Sequence, residues 1–274
     1  VNQNCEGVIH PAIIVDTAST TYATSNMSIA LFTQSGTLIK RDTGSLTVNL
    51  NPYIGSIVRI EILVFGTGGF SCNGFARIVD KMPPVITCRD TIVSCSVDTS
   101  GINLGRPTIV SNNCNGTLSY NYKDSVSVSD CSLDTLQKIF RRWIVADIYG
   151  NADTCIQKIS LLKPSLDSLT PLRRIVFPRD TLLSCNTPNI SPGITGFPTI
   201  NGKVINSAGL CKINYSYTDD TTRTCAGLSF AVIRRWTAID LCTSQDTLHT
   251  QIIQVKDTTK PVIVCPLPKR VSTQ

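Results

Sequence analysis

Glutamate is nearly missing from this chain: its 274 residues contain two, Glu6 and Glu61. Charged residues make up 16% of the total, well under the quarter usual in globular domains. Ser and Thr together number 58, and Val and Ile are plentiful. A chain so composed is a poor helix former, which excludes helical bundles and coiled coils. Histidine is equally scarce. His10 and His249 stand alone in different parts of the chain, which argues against a His-containing triad or a His-based metal site. HExxH, GxSxG, GxGxxG and the P-loop are all missing. The sequence therefore predicts no enzyme, no catalytic, cofactor-binding or metal-ligating residues, and no cofactor. Asp219-Asp220 sits in a Thr-rich stretch without the spaced carboxylates of a calcium loop and reads as turn capping.

Other absences bear on partners. No apolar run approaches the ~20 residues a membrane helix requires. The most apolar stretch, 54–65, carries Arg59 and Glu61 and alternates like a strand. The net charge of +6 is spread along the chain, densest at the Arg pairs 141–142, 173–174 and 234–235. No basic stripe with interleaved aromatics is present, so neither nucleic acid nor membrane insertion is expected. A solvated surface accounts for the charge, with weak attraction to anionic polysaccharide as the alternative. No signal sequence precedes Val1, and the chain reads as a mature or excised piece of something longer. The formal sequons at Asn26, Asn115, Asn189 and Asn214 carry little weight.

Cysteine, by contrast, is abundant at twelve residues. No CxxC pair is present, so disulfides in an oxidising, extracellular compartment are a better account than zinc. Internal repetition is equally plain. Arg89-Asp90-Thr91-Ile92-Val93-Ser94-Cys95 recurs as Arg179-Asp180-Thr181-Leu182-Leu183-Ser184-Cys185. Arg141-Arg142-Trp143 through Asp147 recurs as Arg234-Arg235-Trp236 through Asp240, and Leu118–Tyr122 answers to Ile213–Tyr217. The period is 90 to 93 residues. A further copy opens at Pro261-Val262-Ile263-Val264-Cys265, matching Pro84–Cys88. The expected partition is an N-terminal β module over 1–79, repeats over 80–163 and 164–256, and the start of another repeat over 257–274.

Short β-branched runs punctuated by Gly, Pro, Asn and Ser give about seven strands per ~90 residues, with one Trp in each repeat. That is the arithmetic of an immunoglobulin-like sandwich, with Trp143 and Trp236 as core anchors. The fold class expected is all-β, tandem immunoglobulin-like β-sandwich domains stapled by disulfides. Strict alternation puts Arg141 on the face of Trp143, and Phe140, Ile144 and Ala146 on the other, so both faces of this strand ask for cover. In the N-terminal module, Ser28–Phe32, Leu46–Val48 and Ile57–Ile62 read as strands. The Pro-stiffened junction Asp80-Lys81-Met82-Pro83-Pro84 suggests a semi-rigid rod.

The repeats also suggest the pairing of the cysteines. Cys88 and Cys155 give way together to Phe177 and Leu248, which argues for a Cys88–Cys155 bond. Cys242 stands where the first repeat has Tyr149, which argues for Cys185–Cys242. The remaining shared pairs are then Cys114–Cys131 and Cys211–Cys225. Cys5 and Cys72 are the pair of the first module. Cys95 and Cys265 are left without partners in this segment, Cys95 being either a buried inert thiol, an intermolecular link, or a rearranged mate of Cys155.

Pro84–Cys88, Asn113-Cys114, Arg142-Trp143 through Asp147, Gly150-Asn151 and Cys155 together resemble the cysteine-containing hyalin-repeat-like (HYR-like) domain. The opening Asn4-Cys5-Glu6-Gly7-Val8-Ile9-His10-Pro11 and the close Phe70-Ser71-Cys72-Asn73-Gly74 are similar to a module of the same arrays, with Asn73 in place of its usual Trp. Phe177, Leu248, Tyr149 and Thr243-Ser244 depart from the pattern. Such arrays occur in very large adhesins and filament proteins of gliding bacteria, exported by type IX secretion. The resemblance implies a structural or adhesive segment of a cell-surface filament, homo-oligomeric, with copies of itself and a prey or host surface or polysaccharide as partners. The alternative is an Ig-like ligand-binding module recognising polysaccharide or a cell-surface protein.

Overall fold

A computed structural model describes residues 2, 4–10, 24–65, 69–114, 116–185, 189–223, 229–257, 260 and 262–266. The chain is 54% strand and 4% helix, which settles the class as all-β, disulfide-stapled β-sandwich. The strands fall where β-branched residues alternate, and the turns where glycine supplies positive φ, as at Gly36 and Gly44.

The residues group into two compact units. One comprises 1–91, 100–126 and 139–159; the other comprises 92–99, 127–138 and 160–274. These units do not coincide with the modules marked out by the repeat: parts of the first repeat, 92–99 and 127–138, belong with the second unit. Two disulfides, Cys95–Cys211 and Cys131–Cys242, lie within that second unit.

The N-terminal portion contributes β1 (Glu6–Ile9), β2 (Met27–Thr33), β3 (Leu38–Thr43), β4 (Leu46–Asn49), β5 (Ile57–Val64) and β6 (Phe70–Arg77). Strands β1 and β4 pair antiparallel, with Glu6 opposite Asn49, while the other four form a sheet in the order β3-β2-β5-β6. Ile29 and Leu31 from β2, Leu46 and Val48 from β4 and Val58 from β5 fill the space between the two sheets. The expected strands around Ser28, Leu46 and Ile57 are β2, β4 and β5.

The first repeat follows with β7 (Val85–Thr87), β8 (Thr91–Ser94), β9 (Thr108–Ser111), β10 (Ser119–Val128), β11 (Thr135–Ala146) and β12 (Ala152–Leu162). Its sheets are β7-β9 and β10-β11-β12-β8. The second repeat has β13 (Ile175–Val176), β14 (Thr181–Ser184), a one-turn helix α1 (Pro192–Thr195), β15 (Thr199–Ile200), β16 (Lys203–Val204), β17 (Ile213–Arg223), β18 (Phe230–Asp240) and β19 (Asp246–Lys256). Its sheets are β13-β15-β16 and β14-β19-β18-β17, with β14 parallel to β19. Ile175, Ile200, Ile213 and Ala238 pack in a shared apolar cluster between them. Among the described residues no helix is long and apolar enough to cross a membrane.

Among the described residues four disulfides are present, and most differ from the expected set. Cys88 is joined to Cys155, with Cα atoms 5.6 Å apart. Cys5 is joined to Cys114, Cys95 to Cys211, and Cys131 to Cys242. Cys114–Cys131 fails on distance. The two residues flank the ten-residue strand β10, which spans about 30 Å, whereas a disulfide needs Cα atoms within about 7 Å. Cys211 is joined to Cys95 and not to Cys225, which lies outside the described residues. The Cys185 amide donates to the Lys256 carbonyl at the far end of β19, whereas Cys242 precedes the start of that strand. Cys5 adjoins β1, while Cys72 is exposed on β6 in a different sheet, outside any disulfide. Cys95, expected to have no mate, has one in the second repeat. Cys265 is exposed and outside any disulfide.

Candidate functional site

Each repeat is built around one buried cation. Alternation along β11 sends Arg141 and Trp143 inward and Arg142 outward, and Arg141 is 0% exposed. A guanidinium taken out of water must be paired and hydrogen-bonded. Arg141 Nε and Nη2 donate to the two carboxylate oxygens of Asp124, both at 2.8 Å, and Nη1 donates to the Gly101 carbonyl at 2.6 Å. Its Cζ lies 4.3 Å from the Tyr122 ring centre. The hydrogen bonds that Arg141 donates to the Asp124 carboxylate hold its pKa above its ordinary value, with burial opposing. Trp143 Nε1 donates to Gln157 Oε1 at 3.1 Å, and Gln157 Nε2 in turn donates to the Leu104 carbonyl at 3.1 Å.

The second repeat reproduces this arrangement. Arg234, 1% exposed, donates from Nε and Nη2 to Asp219 at 2.7 Å, from Nη1 to Thr195 Oγ1 at 2.8 Å and from Nη2 to the Ile190 carbonyl at 2.8 Å. Trp236 Nε1 donates to Gln251 Oε1 at 3.1 Å. Helix α1 exists to deliver Thr195. It ends at Gly196, whose φ of +101° suits glycine, and a Cβ there would meet Pro178 at 3.1 Å. Asp219 and Asp220 therefore lie within strand β17 rather than capping a turn, and Asp219 is the counter-ion of a buried arginine.

The Trp–Gln bond also corrects an equivalence. Gln157 and Gln251 occupy the same place, so His249, not Leu248, stands where the first repeat has Cys155. Leu248 is 72% exposed on the opposite face, as a one-residue slip along a strand requires. His249 stacks on Phe177 with ring centres 5.0 Å apart, and its Nε2 lies 3.3 Å from the Pro178 carbonyl oxygen. An aromatic pair thus replaces the disulfide. His10 is exposed, and neither histidine faces a nucleophile or metal ligand in the contacts described.

Apolar side chains also face outward from the sheets. Phe140 and Ile144 of β11 and Ile156 of β12 are exposed. Phe140 and Ile156 line a cleft of about 250 Å³ together with Lys123, Asp124, Ser125 and Arg142. On the second repeat, Ile252 of β19 lies opposite Ile233 of β18, and Leu182, Ile239 and Leu248 are exposed.

The architecture defines a disulfide-stapled tandem β-sandwich protein. No model of a protein family matches the chain, and no curated protein matches it. Solved structures similar to it include the human desmocollin-1 ectodomain, at 12% identity over 90% of this chain and 57% of that one, with a TM-score of 0.22. Mouse cadherin-23 EC22-24 is similar at 11% identity over 88% of this chain and 89% of that one, with a TM-score of 0.26. The zebrafish RET cadherin-like domains 1 to 4 are similar at 10% identity over 84% of this chain and 65% of that one, with a TM-score of 0.29.

Proposed function

We propose that this chain is a structural and adhesive segment of an extracellular, cell-surface fibre built from tandem immunoglobulin-like repeats. The covalent pattern carries this reading. Cys5–Cys114, Cys95–Cys211 and Cys131–Cys242 each join residues that the repeat assigns to neighbouring modules, at separations of 109, 116 and 111 residues. Links of that kind make a tandem array continuous under tension. They also belong to an oxidising compartment. The HYR-like motifs around Cys88, Asn113-Cys114 and Trp143 support export by type IX secretion.

Self-association is part of the proposal. The outward apolar residues Phe140, Ile144 and Ile156 on one repeat, and Leu182, Leu248 and Ile252 on the other, offer the surface for it. Like chains packed about a common axis would cover them. Recognition of polysaccharide or a cell-surface protein at the Phe140–Arg142 cleft is the second reading, favoured by its combination of an apolar wall with the charged groups of Lys123, Asp124 and Arg142.

Imaging of the native surface, with gold-labelled antibody against residues 189–223, tests the fibre reading. Label should follow filaments thicker than one chain, and the oxidised chain should sediment as oligomers at micromolar concentration. Label confined to dispersed particles, together with a monomer in solution, would remove it.

A further inference from the structure

A cleft of about 520 Å³ opens where the turn after β2, the segment before β5 and the end of β6 come together. That volume falls within the range of small-molecule sites. Its lining includes Thr33, Gln34, Ser35, Tyr53, Ser56 and Arg77, and no acidic residue. Local hydrogen bonds hold this lining in place. Thr37 N donates to Thr33 Oγ1 at 3.0 Å, and the Thr33 and Ser35 hydroxyls share a bond of 2.9 Å. Ser56 N donates to the Tyr53 carbonyl at 2.9 Å, and Ile78 N to the Ser56 carbonyl at 3.0 Å. Tyr53 packs against the core cluster of the module.

The charges beside this cleft do not balance. Alternation along β6 turns Asn73, Phe75 and Arg77 to the outward face of the sheet, where Phe75 lies opposite Arg59 and Asn73 opposite Glu61. The four strands turn three arginines outward, Arg41, Arg59 and Arg77, and one acid, Glu61. Glu61 is already shared by Arg41 at 3.4 Å and Arg59 at 3.1 Å. Arg59 also donates to Asn73 Oδ1 at 2.9 Å and lies with Cζ 4.1 Å from the Phe32 ring centre. The Arg77 side chain, exposed at the end of β6, makes no hydrogen bond or ion pair among the described residues. Asp80 borders a smaller cleft with Arg77 but is buried, its Oδ1 accepting from Asn113 Nδ2 and Met82 N. Phe75, 68% exposed, stands two residues from Arg77 on the same face, about 7 Å along the strand.

We propose that this cleft binds a carboxylate-bearing sugar of an acidic polysaccharide. The Arg77 fork matches a planar carboxylate through two parallel N–H···O bonds. Hydroxyl and amide side chains such as those of Ser35, Ser56 and Gln34 both donate and accept, as sugar hydroxyls do. Phe75 offers an apolar platform for the C–H face of the adjoining sugar. An acidic peptide would satisfy Arg77 but leave the hydroxyl-lined walls unmatched. The site adds a surface to the adhesive part of the proposed function and does not depend on the chain forming filaments.

Calorimetric titration of the full oxidised chain with hexasaccharides of galacturonate and of mannuronate, and with their carboxyl-reduced counterparts, tests this. The acidic sugars should bind one site with a dissociation constant below about 1 mM, more weakly as salt is raised. Arg77→Gln should weaken binding about tenfold or more, because a charge-assisted pair is lost. Phe75→Ala should weaken it about threefold. Both side chains are exposed, so each variant should unfold with its parent. Arg235→Gln, the same charge change on β18, should bind as the parent does. No binding up to about 10 mM, equal binding of the reduced sugars, or displacement by polyglutamate at equal carboxylate concentration would overturn the proposal. So would full binding by Arg77→Gln, or an equal loss with Arg235→Gln. None of these results touches the fibre reading, which imaging of the native surface decides.

Discussion

Pulled from its two ends under oxidising conditions, the fully unfolded chain should open by only about 60 Å between Cys5 and Cys242, against about 800 Å after reduction. The difference follows from the route that tension takes. Force entering at Cys5 crosses directly to Cys114, follows the backbone to Cys131, and crosses again to Cys242. Seventeen residues carry the load where the uncrossed backbone would offer 237. Replacing Cys131 and Cys242 by serine diverts the path through Cys95–Cys211. The oxidised extension should then grow to about 180 Å. Force–extension curves on single tethered chains read all three lengths. Equal extension with and without reductant would mean that successive modules are not covalently bridged.

Replacing Arg234 by Met should cost about 3–5 kcal/mol of unfolding free energy, because it leaves a partly buried Asp219 carboxylate facing an apolar interior. Four hydrogen bonds go with it, including those that fix Thr195 and Ile190. Asp219 is 26% exposed on its side chain, so part of its charge can turn to water and the lower end of that range is favoured. The double variant Arg234→Met/Asp219→Leu should recover most of the loss, since a well-packed apolar pair of similar volume replaces a buried ion pair at little cost. The neighbouring pair Arg235–Asp220 is the contrast. It spans 3.8 Å with side chains 55% and 61% exposed, and Arg235→Ala should change stability by less than about 1 kcal/mol. Urea unfolding followed by Trp fluorescence in single-Trp backgrounds measures each value. A loss at Arg234 no larger than at Arg235 would show that the buried network is not a stabilising centre.

Much of the β architecture was legible because it rests on local patterning. The alternation around Ser28, Ile57 and Trp143 marks strands, and the recurrence of Arg-Arg-Trp marks equivalent ones. The buried arginine was half legible. Alternation placed Arg141 inward, but its partner had to be read from the Tyr-x-Asp that ends the shared Tyr122 and Tyr217 segments. Extending that match by two residues reaches Asp124 and Asp219. The disulfides were mostly illegible. Comparing repeats assumes that each cysteine is satisfied within its own copy, and strand length defeats that assumption at Cys114 and Cys131. Only Cys88–Cys155, whose loop closes inside one repeat, escapes the error. The cleft beside Arg77 has no spacing signature either, because its lining runs from Thr33 to Arg77 and meets only through tertiary structure.

Peptide mapping of the non-reduced chain by mass spectrometry is the most direct test of the stapled array. The account requires linked peptides containing Cys5 with Cys114, Cys95 with Cys211, and Cys131 with Cys242. Peptides joining Cys114 to Cys131 or Cys185 to Cys242 would place the bonds inside single modules and contradict it.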